Sequence, residues 1–140
     1  GYCTLYGDMA GGYAPLGDLY KMEVYSLARQ YNKRIGKDAV TESTLTKPPS
    51  AELAPDQKDE DSLPPYPVLD EMLRLHIEEG LDATEITAKG HDGTVVREVL
   101  TRLSKNEHKR WQMAPAPRVS KRAFGQGWRQ PLAARHDWRQ

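Results

Sequence analysis

Six prolines, Pro48, Pro49, Pro55, Pro64, Pro65 and Pro67, fall between residues 47 and 67. Each fixes the backbone φ and removes an N–H donor, so neither a helix nor an interior strand is expected to run through the stretch. The chain must therefore be organised around a loop of about 20 residues, and loops of that length inside a compact domain are uncommon: they are lids, binding loops or linkers. By composition alone, with Lys, Asp and Glu set among the prolines, a disordered linker is the plainest of the three.

On either side of the loop, apolar residues gather at residues 16–31, 68–81 and 95–103. In the first stretch Tyr20, Val24, Leu27, Ala28 and Tyr31 recur at helical spacing, with Asp18 placed to cap the start and Gly36 to stop the end. In the second, Val68, Leu69, Met72, Leu73, His76 and Ile77 share a broad helical face that ends at Gly80, and His76 is expected to pack at its edge. Asp82 with Glu85 three residues on has the pattern of a capping box opening a short helix that Gly90 stops. Asp92 caps the next, whose Val95, Val99 and Leu103 form a row beside Val96 and Leu100.

These stripes need a surface to pack on, yet hydrophobic residues are only 38% of 140. The core is thin, and the chain reads as a piece of a larger protein. It has no signal-peptide pattern and no apolar run near the roughly 20 residues that cross a bilayer, which points to a soluble chain of the cytoplasm. The single Cys3 forms no internal disulfide and no four-cysteine metal site, and is expected to be buried rather than nucleophilic.

The net charge of zero conceals an asymmetry. Residues 1–100 hold 10 Lys and Arg against 18 Asp and Glu, and residues 101–140 hold 10 against 2. The basic end also carries Trp111, Trp128 and Trp138, a composition that could serve a helical interaction module binding nucleic acid or another protein. Order is expected to fade after Phe124, leaving residues 126–140 as a polar, basic, disordered tail.

No Gly-rich phosphate loop ending in Lys-Ser/Thr, metal-spaced His pair or nucleophile elbow is present. What remains are three polar patches: Tyr6-Gly7-Asp8 with Lys21, the loop over residues 47–63, and His108-Lys109-Arg110. Lys21 stands near a helix start, where its charge opposes the macrodipole. That placement suits a phosphate contact, with a solvated lysine as the plainer reading.

The run Tyr6-Gly7-Asp8-Met9-Ala10-Gly11-Gly12-Tyr13-Ala14-Pro15-Leu16-Gly17-Asp18-Leu19 resembles a stretch of the glutamine-dependent NAD synthetases. Two more follow in order. Lys47-Pro48-Pro49-Ser50-Ala51-Glu52-Leu53 with Pro55-Asp56-Gln57-Lys58-Asp59-Glu60-Asp61-Ser62-Leu63-Pro64-Pro65-Tyr66 is similar to the family's mobile loop over the nucleotide. Asn106-Glu107-His108-Lys109-Arg110, then Pro115, Pro117, Val119, Ser120 and Arg122-Ala123-Phe124-Gly125, is similar to its carboxyl end.

This resemblance covers residues 1–125 and implies an α/β fold class, with the chain as the carboxyl-terminal, mainly helical portion of a Rossmann-like pyrophosphatase-loop domain. It implies an ATP-dependent amide ligase that adenylates deamido-NAD, releases pyrophosphate, and lets ammonia from glutamine displace AMP to form NAD. Lys21, Ser50 and, more weakly, Asp8 match ATP contacts. Lys109 and His108 match deamido-NAD contacts.

ATP with Mg2+ is the implied substrate complex, with the metal ligands, the phosphate loop and the glutaminase domain all outside this chain. The implied assembly is a homodimer or higher homo-oligomer, and the fragment alone is expected to be inactive. Two deamido-NAD contacts of the ammonia-dependent enzymes, a Lys near Leu5 and an Asp near Gly12, have no counterpart here, which favours the glutamine-dependent branch.

Overall fold

The computed structural model describes residues 10–50 and 54–133. Asp8, Cys3 and the aromatic run before Ala10 lie outside the described residues, as do residues 51–53 and 134–140. Six α-helices follow one another, and among the described residues no strand occurs. Of the expected α/β architecture, the described residues form the helical part. No helix is long and apolar enough to cross a membrane among the described residues.

The chain forms two compact units, Tyr20–Asp70 and the pair of segments Gly1–Leu19 and Glu71–Gln140. In the first, α1 (Lys21–Ile35) ends where expected, because Gly36 takes φ 67° and returns its N–H to Asn32 O. A left-handed residue there is strained for any side chain with a Cβ. The Asn32 side chain then fastens the returning chain, accepting from Val40 N at 2.9 Å and donating to Val40 O at 2.6 Å. Helix α2 (Glu42–Thr46) follows, with Leu45 buried. Helix α1 itself buries no residue: Leu27 and Tyr31 stay about half exposed on the apolar face read from the sequence.

Asp18 is not the cap of α1, which corrects the sequence reading. Tyr20 occupies the N-cap position, and its N–H is satisfied by the Glu23 carboxylate at 2.8 Å. The next orphan donor, Met22 N, goes to Asp70 Oδ2 at 2.7 Å, a carboxylate 48 residues away on α3 (Tyr66–Ile77). Burial raises the Asp70 carboxyl above its ordinary range. The N–H groups of Met22 and Lys21 and the Lys21 ammonium oppose that shift, while Glu23 adds to it.

Helix α3 (Tyr66–Ile77) starts earlier than its prolines suggest. Pro67 sits in its first turn, where a missing N–H costs nothing because no helical acceptor precedes it. A short 3-10 turn at Asp59–Asp61 also interrupts the expected featureless loop.

The second unit holds the main core. The end of α3 contributes Met72, Leu75 and Ile77, α4 (Ala83–Ala88) contributes Ile86, and α5 (Gly93–Lys105) contributes Val96, Val99 and Leu100. Each such side chain contributes about 1.5–3 kcal/mol on burial. Leu75 belongs to the buried set although the sequence face omitted it, whereas Val68 is 39% exposed. His76 is buried with Nδ1 2.8 Å from Leu81 O. Asp82 accepts from Glu85 N at 2.8 Å, and Asp92 accepts from Thr94 N and Val95 N, so both caps stand as read. Helix α4 packs on α5, and α5 on α6 (Glu107–Trp111).

Beyond α6 the proline-extended segment meets the stretch before α1, Ala14 N donating to Pro115 O at 2.9 Å. A Cβ on Gly17 would come within 2.9 Å of Ala116 Cβ, so the approach requires glycine.

Candidate functional site

The Tyr20–Asp70 unit holds Lys21, Ser50 and the proline-rich loop. Lys21 is half-buried, its Nζ lying 5.2 Å from the Tyr25 ring centroid and 5.7 Å from that of Tyr66. An ammonium over two ring faces is held by their quadrupoles while its N–H groups remain able to donate. The loop is closed by Asp59, which is buried. Its N–H donates to Pro49 O at 2.9 Å, and one carboxylate oxygen accepts from Tyr66 Oη at 2.5 Å. Tyr66 thus touches both the loop and Lys21.

Between the two limbs of the loop lies an open hollow of about 900 Å3, lined by Lys47, Ser50, Gln57 and Lys58 among others. Two ammonium groups and a hydroxyl around a space of that size suit an anionic ligand of nucleotide dimensions. Lys21 does not line the hollow.

The other unit carries His108 and Lys109 side by side on α6. His108 is exposed and Lys109 half-buried. Arg110, the third basic residue of the motif, has a different role: it is 6% exposed, and its Nε lies 3.3 Å from Glu107 Oε2. Its guanidinium carbon is 4.4 Å from the Phe124 ring centroid and 4.5 Å from that of Trp128. The Trp128 ring in turn meets His76 edge to face at 5.4 Å. Trp128, which the sequence assigns to a disordered tail, therefore carries a packed side chain.

Asp18 is the second residue whose role the sequence did not disclose. Its carboxylate accepts from Val119 N at 2.7 Å, Ser120 N at 2.8 Å, Phe124 N at 2.8 Å and the Ser120 hydroxyl at 2.8 Å. Burial alone would raise its pKa, but these donors together outweigh burial and hold it below the ordinary value. Arg118 donates to Ser120 O and Lys121 O, closing the same turn.

No group of three or more His, Cys, Asp or Glu side chains able to hold a metal comes together among the described residues. No reaction step is assigned to a metal held by these residues.

The sequence model of the NAD synthase family matches residues 1–113. The glutamine-dependent NAD(+) synthetase of Thermotoga maritima is 53% identical over 135 residues, 96% of this chain and 23% of that protein. The enzyme of the same name from Acinetobacter baylyi is 49% identical over 139 residues, 99% of this chain and 25% of that protein. The chain thus spans about a quarter of the length of these relatives. The solved structure of glutamine-dependent NAD+ synthetase from Acinetobacter baumannii in complex with ADP is 41% identical, covering 94% of this chain and 22% of that one. Its TM-score of 0.49 is too low for a residue-by-residue superposition.

Proposed function

The chain belongs to the NAD synthase family, and from that premise we propose that it is the lid and substrate-contacting portion of a glutamine-dependent NAD synthetase. The observation that carries the reading is identity of about half over nearly the whole chain with enzymes of that name. In this reading Ser50, with Lys47 and Lys58 around the hollow, lies against the nucleotide. Lys21 supplies a further cation to the ATP phosphates, steadied by Tyr25 and Tyr66. Asp8 is proposed as a further ATP contact from the sequence resemblance alone. His108 and Lys109 contact deamido-NAD, whose pyrophosphate and nicotinate carboxylate are both anionic.

The whole enzyme activates the nicotinate carboxylate by adenylation, releasing pyrophosphate, and ammonia drawn from glutamine then displaces AMP. What this chain's residues do is orient and neutralise: cations fix the phosphates, and the lid restricts water at the activated carboxylate. Mg2+ ligands, the phosphate loop and the glutaminase belong to other segments of the same cytoplasmic, oligomeric enzyme.

It follows that residues 1–140 alone form no NAD. Incubating the purified chain with ATP, deamido-NAD and ammonia should give NAD at background rate, and the full-length enzyme should give it readily. Turnover by the chain alone would contradict the assignment.

The rival reading, a helical module with a nucleic-acid-binding tail, finds less support. Arg110, Arg118 and Arg129 are all engaged by partners within the chain. Salt-dependent binding of single-stranded DNA would favour it.

A further inference from the structure

Helix α6 is five residues long, and residues 107, 110 and 111 fall on one face while 108 and 109 fall on the opposite one. The segment that follows returns to the first face at four points and touches each of its three residues. Gln130 N donates to Glu107 Oε1 at 3.0 Å, Phe124 and Trp128 lie against Arg110, and the Arg129 guanidinium lies 4.3 Å from the Trp111 ring centroid. One turn and a half of helix cannot hold its own orientation, because so short a helix is marginal without tertiary packing. The returning segment supplies that packing, and it does so on the side that leaves His108 and Lys109 facing away.

We infer that Arg110 and Trp128 are positioning residues for deamido-NAD recognition: with Glu107 they form a clasp that aims His108 and Lys109 at the dinucleotide. This rests on the proposed function of those two residues and extends it to residues nothing else assigns. Trp128 lies beyond the match to the family sequence model, which ends at residue 113, yet the A. baylyi relative aligns over 99% of the chain. The clasp therefore has a counterpart segment in that glutamine-dependent enzyme.

The planar guanidinium matters because it stacks on rings in a way an ammonium does not. In the full-length enzyme, Arg110→Lys and Trp128→Leu should each raise the KM for deamido-NAD about tenfold, while kcat and the KM for ATP stay within about twofold. Trp128→Phe, which keeps an aromatic face for Arg110, should restore most of the loss. A role confined to stability would lower the amount of active enzyme without separating the two KM values.

Unchanged KM for deamido-NAD in both Arg110→Lys and Trp128→Leu would overturn the clasp and leave the proposed function standing, as would a parallel rise in both KM values. Full-length wild type that forms no NAD would overturn both.

Discussion

Two segments that look alike in sequence, the proline-rich loop at residues 47–67 and the proline-containing return after α6, are each anchored by one buried aspartate, and the anchors differ in strength. Asp18 accepts from three backbone N–H groups and a hydroxyl. The Asp59 carboxylate accepts from Tyr66 Oη, while its other oxygen, Oδ1, is buried with no hydrogen-bond partner. The return is reinforced by rings packed on Arg110, whereas the loop surrounds an open hollow. A segment that aims substrate contacts has to be fixed, and one that admits and covers a nucleotide has to open. The difference in fastening matches the two roles proposed.

The largest expected effect lies at the stronger anchor. Asp18→Ala strands three part-buried N–H groups at once and should cost about 3 kcal/mol in denaturant unfolding, with Asp18→Asn losing less because one acceptor remains. The sign of the pH dependence follows from its lowered pKa. The folded value lies below the ordinary 3.8, so the anchor's contribution is full above that value and is lost as pH falls through the folded pKa. Acid titration of the wild type should therefore loosen the return only below about pH 4, a transition that Asp18→Asn should lack.

A smaller effect is expected at the weaker anchor. Tyr66→Phe removes one hydroxyl donor and should cost about 1 kcal/mol, speeding amide exchange at Asp59 without altering Val119 or Ser120. If this substitution proved as damaging as Asp18→Ala, the contrast between a loosely held lid and a fixed return would collapse.

How far the sequence revealed these features depends on how far apart the partners lie. Asp82 and Asp92 were readable as caps because the amides they accept from are two or three residues on. Asp18 has the same side-chain chemistry and also stands shortly before a helix, but its partners are 101 to 106 residues away. Local spacing cannot separate an N-cap from such an anchor. Nor could it name Asp70, which fills the capping task from another helix.

The stripes on α3 and α5 were legible as periodicity. The register of the buried set was not, since Leu75 is core and Val68 is exposed only because of what each helix meets. At the site, the order of residues marked Lys21, Ser50, His108 and Lys109, and the structure distributes them as two pairs, one in each unit. Arg110 read as one more basic residue of the motif, because nothing in a basic run shows which member is enclosed by rings that arrive later in the chain.

The measurement that bears most directly on the account is a pair of substitutions in the full-length enzyme, Lys21→Ala and Lys109→Ala, each assayed for the KM of both substrates. The two pairs are predicted to act on different ligands. Lys21→Ala should raise the KM for ATP about tenfold and leave that for deamido-NAD unchanged, and Lys109→Ala should do the reverse. Both KM values rising together in either variant, or neither moving, would contradict it.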